Sequence, residues 1–177
     1  FYLYYKVYIK QISHLLKNLG VNINTVPVLD IRRNNSHQIV GDRSYSTNVN
    51  VIKSIGNFCI NNFHKNKIVT VIKHIPGHGL AKVDSHKKLP IINQNLNYLI
   101  KKDFYAFKKN NSLLGMTGHL FFKKIDNKNV STHSKKIIEI VRKKIQYKNI
   151  IITDDISMKA LKNDLKSNVL KSFNAGC

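Results

Sequence analysis

Acidic residues are scarce in this chain: 9 Asp and Glu stand against 30 Lys and Arg in 177 residues, a formal net charge of +21. Such an imbalance ordinarily points to nucleic acid or an anionic surface. Arginine is scarce too, 4 residues against 26 lysines, and arginine is the residue that forks onto base edges and phosphates. Lysine spread evenly beside many Asn and Ile is what A/T-rich codons produce, so the charge names no partner by itself. Cysteine is limited to Cys59 and Cys177, far apart in the chain. No disulfide framework is implied, and a reducing compartment is expected. There is no run of eighteen apolar residues, and the aromatic start Phe1-Tyr2-Leu3-Tyr4-Tyr5 has no basic segment before it. Neither a membrane anchor nor a targeting signal is expected. The first residue is not Met and already sits in a helical pattern, so the chain reads as part of a longer protein. Finally, no glycine-rich phosphate fingerprint follows any apolar run, which argues against a nucleotide-binding fold.

What remains is a chain with 42% hydrophobic residues, enough for one domain with a real core. Apolar residues at Tyr5, Tyr8, Ile9, Ile12, Leu15, Leu16 and Leu19, followed by Gly20, predict a helix over 3–19. Asn22 to Leu29 reads as a strand, and Ile31 to Thr47 as a polar segment without periodicity. A helix over 51–63 and a strand over 67–72 follow. Beyond a loop at 73–90, a helix over 96–107, a strand over 113–119, a helix capped by Ser134, a strand over 149–153 and a helix carrying Met158, Leu161, Leu165 and Val169 complete the order. Polar residues gather after each strand: Asp30 and Arg43, His74 and His86, His119, then Asp154. Alternating apolar strands and helices imply a parallel sheet. Chemistry recurring at strand ends favours a TIM-like (β/α)₈ barrel over a doubly wound sheet. A whole barrel takes ~250 residues, so residues 1–177 are expected to be one partial barrel of about four strand-helix units.

The stretch from Lys73 to Pro90 holds the densest chemistry. Pro76, Gly77 and Gly79 exclude a regular helix and let the backbone turn sharply. His74 and His78 have the i, i+4 spacing of helical zinc ligands. With the helix removed, no metal is expected. Asp84 and His86 are one residue apart, and a carboxylate beside an imidazole can fix its tautomer and stabilise its protonated form. Asp154 and Asp155 follow Ile150-Ile151-Ile152, and one of them is expected to cap the helix that follows. A carboxylate at a strand end facing an Asp-His pair supplies one nucleophile and one proton donor, the equipment for displacement at an acetal carbon.

Lys73-His74-Ile75-Pro76-Gly77-His78-Gly79, Asp84-Ser85-His86 and Thr153-Asp154-Asp155-Ile156-Ser157-Met158 resemble the motifs of the bacterial β-N-acetylglucosaminidases (β-hexosaminidases) of glycoside hydrolase family 3. Pro27-Val28-Leu29-Asp30, Gly41-Asp42-Arg43-Ser44-Tyr45, Met116-Thr117-Gly118-His119 and Asn174-Ala175-Gly176-Cys177 support the resemblance in order along the chain. Ile75 stands where that family usually has Phe, and its Asp-Gln-Glu-Gly-Gly-Arg motif has no counterpart here. The resemblance implies a retaining glycosidase that removes terminal N-acetylglucosamine from muropeptides during cytoplasmic cell-wall recycling. It implies no cofactor, and a monomer when the barrel is complete. It also implies Asp154 as nucleophile, His86 as acid/base with Asp84 as its partner, and Arg43, Lys73 and His74 on the sugar hydroxyls. With strands missing at both ends, the segment alone is expected to be a poor enzyme. Two other readings stand beside this one: a basic nucleic-acid-binding module, which a steep salt dependence of affinity would mark, and an inactive remnant of the hydrolase.

Overall fold

A computed structural model describes residues 1–34 and 40–177; positions 35–39 of the polar segment lie outside the described residues. In chain order the elements are α1 (Tyr2–Asn18), β1 (Ile23–Asn24), α2 (Val49–Lys65), β2 (Val69–Ile75), β3 (Ile91–Ile92), α3 (Leu96–Lys101), β4 (Leu114–Thr117), β5 (Phe121–Phe122), α4 (Lys135–Ile140), β6 (Ile150–Thr153) and α5 (Leu165–Ala175). Four strands form a parallel sheet in the order β1-β2-β4-β6, and β3 pairs in parallel with β5 beside it. Parallel neighbours need a crossover, and α2, α3 and α4 lie in the three crossovers of the larger sheet. A doubly wound sheet reverses its strand order at a switch point. Here the order follows the chain without reversal, the progression of a barrel wall, as the strand-end chemistry implied.

Local chemistry explains most boundaries. Gly20, at φ +72, follows α1 in a conformation glycine adopts at no steric cost. Asn48 caps α2 by accepting from the Asn50 amide, and Ser134 caps α4 by accepting from Ile137, as its position suggested. The helix of α4 continues as a π-helical stretch, Val141–Ile145, ending at Gln146 with φ 60.

Several elements differ from the sequence reading. The strand expected over 22–29 is regular only at Ile23–Asn24, plus a single bridge from Val28 to Lys73, because Pro27 has no amide to give to a ladder. The loop expected from Lys73 begins later: β2 runs through Lys73 and His74 to Ile75, which pairs with Thr117 across a register shift. The helix expected over 96–107 breaks after Lys101 into a 3₁₀ stretch, Asp103–Phe107. The last helix starts at Leu165, where Asp164 accepts from Ser167. Met158 and Leu161, read as part of its apolar stripe, are buried from an irregular loop instead. Along α1 the stripe is narrower than predicted, with Ile9 buried but Tyr8, Leu15 and Leu19 exposed.

The main core lies between the sheet and its helices and includes Leu29, Ile72, Phe104, Phe107, Phe122, Ile137, Val141, Tyr147 and Ile151. Each such side chain contributes ~1.5–3 kcal/mol by leaving water. Gly115 is small for a reason: a Cβ there would stand 2.9 Å from the Tyr147 ring, whose hydroxyl donates to the Ser112 carbonyl at 2.9 Å. A second cluster, Ile9, Cys59, Phe63 and Ile68, joins α1 to α2. At its edge the Tyr5 and Tyr45 hydroxyls meet at 2.6 Å. Burial, with Cys59 close by, pushes both phenols well above their usual range. Among the described residues no helix is long and apolar enough to cross a membrane.

Candidate active site

Asp30, at the end of the first apolar run, is buried completely and works as a hub. One carboxylate oxygen accepts from the His74 amide at 3.1 Å and pairs with His74 Nδ1 at 2.7 Å. The other accepts from the His78 amide at 2.6 Å. Burial alone would raise this carboxyl. The charge and hydrogen bond of His74, joined by those of His78, outweigh burial and hold it below its ordinary value. An ionised Asp30 can only accept, so His74 Nδ1 carries a proton and Nε2 is directed toward Asp154, whose Oδ2 is 4.0 Å away.

Lys73 and Met116 share one level of the sheet by strand register, and both face the same cavity. That cavity, of about 150 Å³, is lined by Arg43, Lys73, His74, His78, Ser85, His86, Met116 and Asp154. Burial first, then the neighbouring Arg43, lowers the Lys73 ammonium, while Asp154 and Asp30 pull it back. Arg43 stands on a 3₁₀ turn, Gly41–Arg43, and the next residue, Ser44, donates to the Asp30 carbonyl at 2.6 Å. The arginine turn and the histidine strand therefore hang from the same aspartate.

Asp154 closes the opposite side. Its amide donates to the Thr117 carbonyl at 3.1 Å, and its Oδ1 accepts from the Asp155 amide at 2.9 Å, leaving Oδ2 toward His74. Asp155 holds the turn by accepting from the Ser157 amide and hydroxyl; it is the structural member of the acid pair. His119 was read as one of the strand-end chemical groups, but it is fully buried and does not line the cavity. Its Nε2 donates to the Asp155 carbonyl at 3.0 Å, which leaves Nδ1 to accept from the Thr132 hydroxyl at 2.7 Å. Burial keeps this imidazole neutral by lowering its pKa.

On the loop after β2, Asp84 Oδ1 accepts from the His86 amide at 2.9 Å and pairs with His86 Nδ1 at 2.7 Å. The expected Asp-His pair is formed. His86 reaches the cavity, while Asp84 stands behind it and is not part of the lining. Five of the six residues singled out in the sequence, Arg43, Lys73, His74, His86 and Asp154, thus meet at one cavity, with Asp84 supporting His86. No group of three or more His, Cys, Asp or Glu side chains among the described residues could hold a metal ion.

The glycosyl hydrolase family 3 N-terminal domain model matches residues 5–177. The chain belongs to glycosyl hydrolase family 3. Its sheet and helices are part of that family's TIM-barrel-like α/β fold. Among curated proteins it is similar to a β-hexosaminidase of Nitrosomonas eutropha, 29% identical with 95% of this chain and 51% of the relative covered. It is also similar to β-hexosaminidase A of Pseudoalteromonas piscicida, 27% identical with 91% of this chain and 30% of the relative covered. The chain spans about half or less of the length of these relatives. Among solved structures it resembles a family 3 β-N-acetylglucosaminidase from a Paenibacillus species, with TM-score 0.88, 27% identity, and 94% of this chain and 33% of that one covered. It likewise resembles NagZ from Neisseria gonorrhoeae, with TM-score 0.83, 27% identity, and coverages of 93% and 48%.

Four site residues of this family 3 domain escaped the sequence reading. Asp30 was named among the strand-end polar residues but given no role of its own. His78 was weighed only as a zinc ligand, and Ser85 only as a letter between Asp84 and His86. Met116 appeared only as the first letter of the Met116-Thr117-Gly118-His119 motif. Gly118 packs under both site histidines: a Cβ there would lie 3.0 Å from His74 Cβ and 3.1 Å from His78 Cδ2. Gly118→Ala is expected to cost ~1–3 kcal/mol by overpacking. Thermal unfolding reads this as a fall of roughly 3–10 °C, and an unchanged Tm would show that the histidines give way freely.

Proposed function

We propose that this chain carries the catalytic face of a retaining β-N-acetylglucosaminidase acting on peptidoglycan fragments in the cytoplasm. Residues 1–177 form part of a barrel that strands outside them complete. The observation that carries the reading is the single cavity where Asp154, His86, His74, Lys73 and Arg43 converge from separate segments of the chain.

In this reading Asp154 attacks the anomeric carbon as the glycosidic C–O bond breaks, and His86 delivers its proton to the departing oxygen. In the second half His86 takes a proton from water, which displaces Asp154 and regenerates both groups. Asp84 engages His86 Nδ1, so Nε2 is the atom left to exchange the proton. Arg43, Lys73 and His74 hold the sugar hydroxyls. The names of the similar proteins, β-hexosaminidases and β-N-acetylglucosaminidases, support the choice of N-acetylglucosamine.

The test is hydrolysis of 4-nitrophenyl N-acetyl-β-D-glucosaminide by the protein with its barrel complete, with the first-formed anomer read by NMR. Release of the β-anomer is the expected result. No hydrolysis, or first release of the α-anomer, would overturn the reading.

A further inference from the structure

The role given to His86 requires that it stand over the cavity, yet its side chain is 59% exposed. Within its own turn it is held by local bonds. The amides of Lys87 and Lys88 donate to the Asp84 carbonyl at 3.0 and 2.9 Å, and the Asp84 carboxylate takes the His86 amide and ring. All of these bonds would travel with the turn if it swung away. Ser85 is different. It is buried to 3% exposure between two more exposed neighbours, and its hydroxyl meets His78 Nε2 at 3.3 Å.

His78 is a fixed point. Its amide is held by Asp30 at 2.6 Å, its ring lies 5.4 Å from that of His74, and Gly118 leaves room beneath both. Burial, reinforced by His74, lowers its pKa to about 4, so the ring is neutral at neutral pH and can pair with a hydroxyl in either direction. The only other polar atom of this ring, Nδ1, is buried without a hydrogen-bond partner among the described residues. Ser85 therefore engages the ring at its one satisfied nitrogen.

We propose that Ser85 and His78 form a latch that fixes the Asp84-Ser85-His86 turn over the cavity, making both of them positioning residues for the proton donor. The proposal rests on the reading of His86 as acid/base. It makes a prediction that a merely structural role would not. General acid help matters most when the leaving group is a poor one, and little when it departs readily as nitrophenolate. Because kcat/KM reads only formation of the glycosyl-enzyme, comparing it for two substrates isolates that help.

The experiment compares wild type, Ser85→Ala and Ser85→Thr in the complete protein on N,N′-diacetylchitobiose and on the 4-nitrophenyl glycoside. Ser85→Ala is expected to lose about 10-fold or more in kcat/KM on the disaccharide and less than about 3-fold on the nitrophenyl substrate, a share of the ~10²–10⁴-fold that a positioned acid supplies. Ser85→Thr, which keeps the hydroxyl, is expected to recover most of the loss. Equal losses on both substrates, or no loss on either, would overturn the latch while leaving the hydrolase reading intact. A wild-type enzyme that cleaves neither substrate would overturn the hydrolase reading and the latch with it.

Discussion

Asp154→Asn is expected to reduce kcat/KM for the aryl N-acetylglucosaminide by on the order of 10⁴-fold, with little change in thermal stability. An amide is nearly isosteric with the carboxylate, and the Oδ1 that accepts from the Asp155 amide can be replaced by the amide oxygen. What is lost is the oxygen facing His74, which in the variant becomes an NH₂ with no lone pair to give the anomeric carbon. The cationic wall made by Lys73 and Arg43 then faces no charge to balance it. A few-fold loss only would remove Asp154 from the nucleophile's role and leave the Asp84–His86 pair without a partner in the chemistry.

Asp30→Asn is expected to be damaging at a different level, through the frame. Three donors converge on this carboxylate: the His74 amide, the His74 ring and the His78 amide. An asparagine can accept through one oxygen only, and its NH₂ would oppose the remaining donors in a site without access to water. Breaking a buried pair on one side costs ~3–5 kcal/mol, which thermal unfolding would register as a fall of about 10 °C.

The pH dependence separates this hub from its neighbours. Asp30 has a folded pKa below its ordinary 3.8, so the unfolded chain takes the proton first. Its contribution is present above 3.8 and is lost as pH falls below that value. His78 acts in a higher window: unfolded chains protonate it near 6.5, the folded protein only at about 4, so stability declines as pH drops from 6.5 to 4. Asp30→Asn should remove the lower decline and keep the upper one. A variant with Tm within 2 °C of wild type at pH 7 would refute the hub.

The candidate catalytic residues were legible in the sequence because they are chemically improbable where they stand. Asp154 ends a run of isoleucines in a chain with 9 acids in all, and Asp84 and His86 are spaced for the contact they make. The parallel sheet was legible because its strands read as near-continuous apolar runs separated by helical patterns. The supporting frame was harder to read. His119 resembles a reactive histidine in sequence, and only its burial against the Asp155 carbonyl and Thr132 marks it as a brace. Asp30 is decisive through three donors that lie 44 to 48 residues away, a convergence no local pattern encodes. The late start of α5 was missed because Met158 and Leu161 happen to share helical spacing with Leu165 while being buried from a loop.

The contact between Tyr5 and Tyr45 reaches further than its place at the back of the molecule suggests. Tyr45 lies two residues from Arg43, and Ser44 between them is tied to Asp30, so the first helix is fastened to the same short turn that carries the cavity-lining Arg43. Natural variation along that helix is therefore not free to drift merely because its outer surface is wet. A change at Tyr5 would register as weakened substrate capture with the catalytic letters all intact, and a survey of variants that scored only cavity residues would assign its cause to the wrong end of the protein.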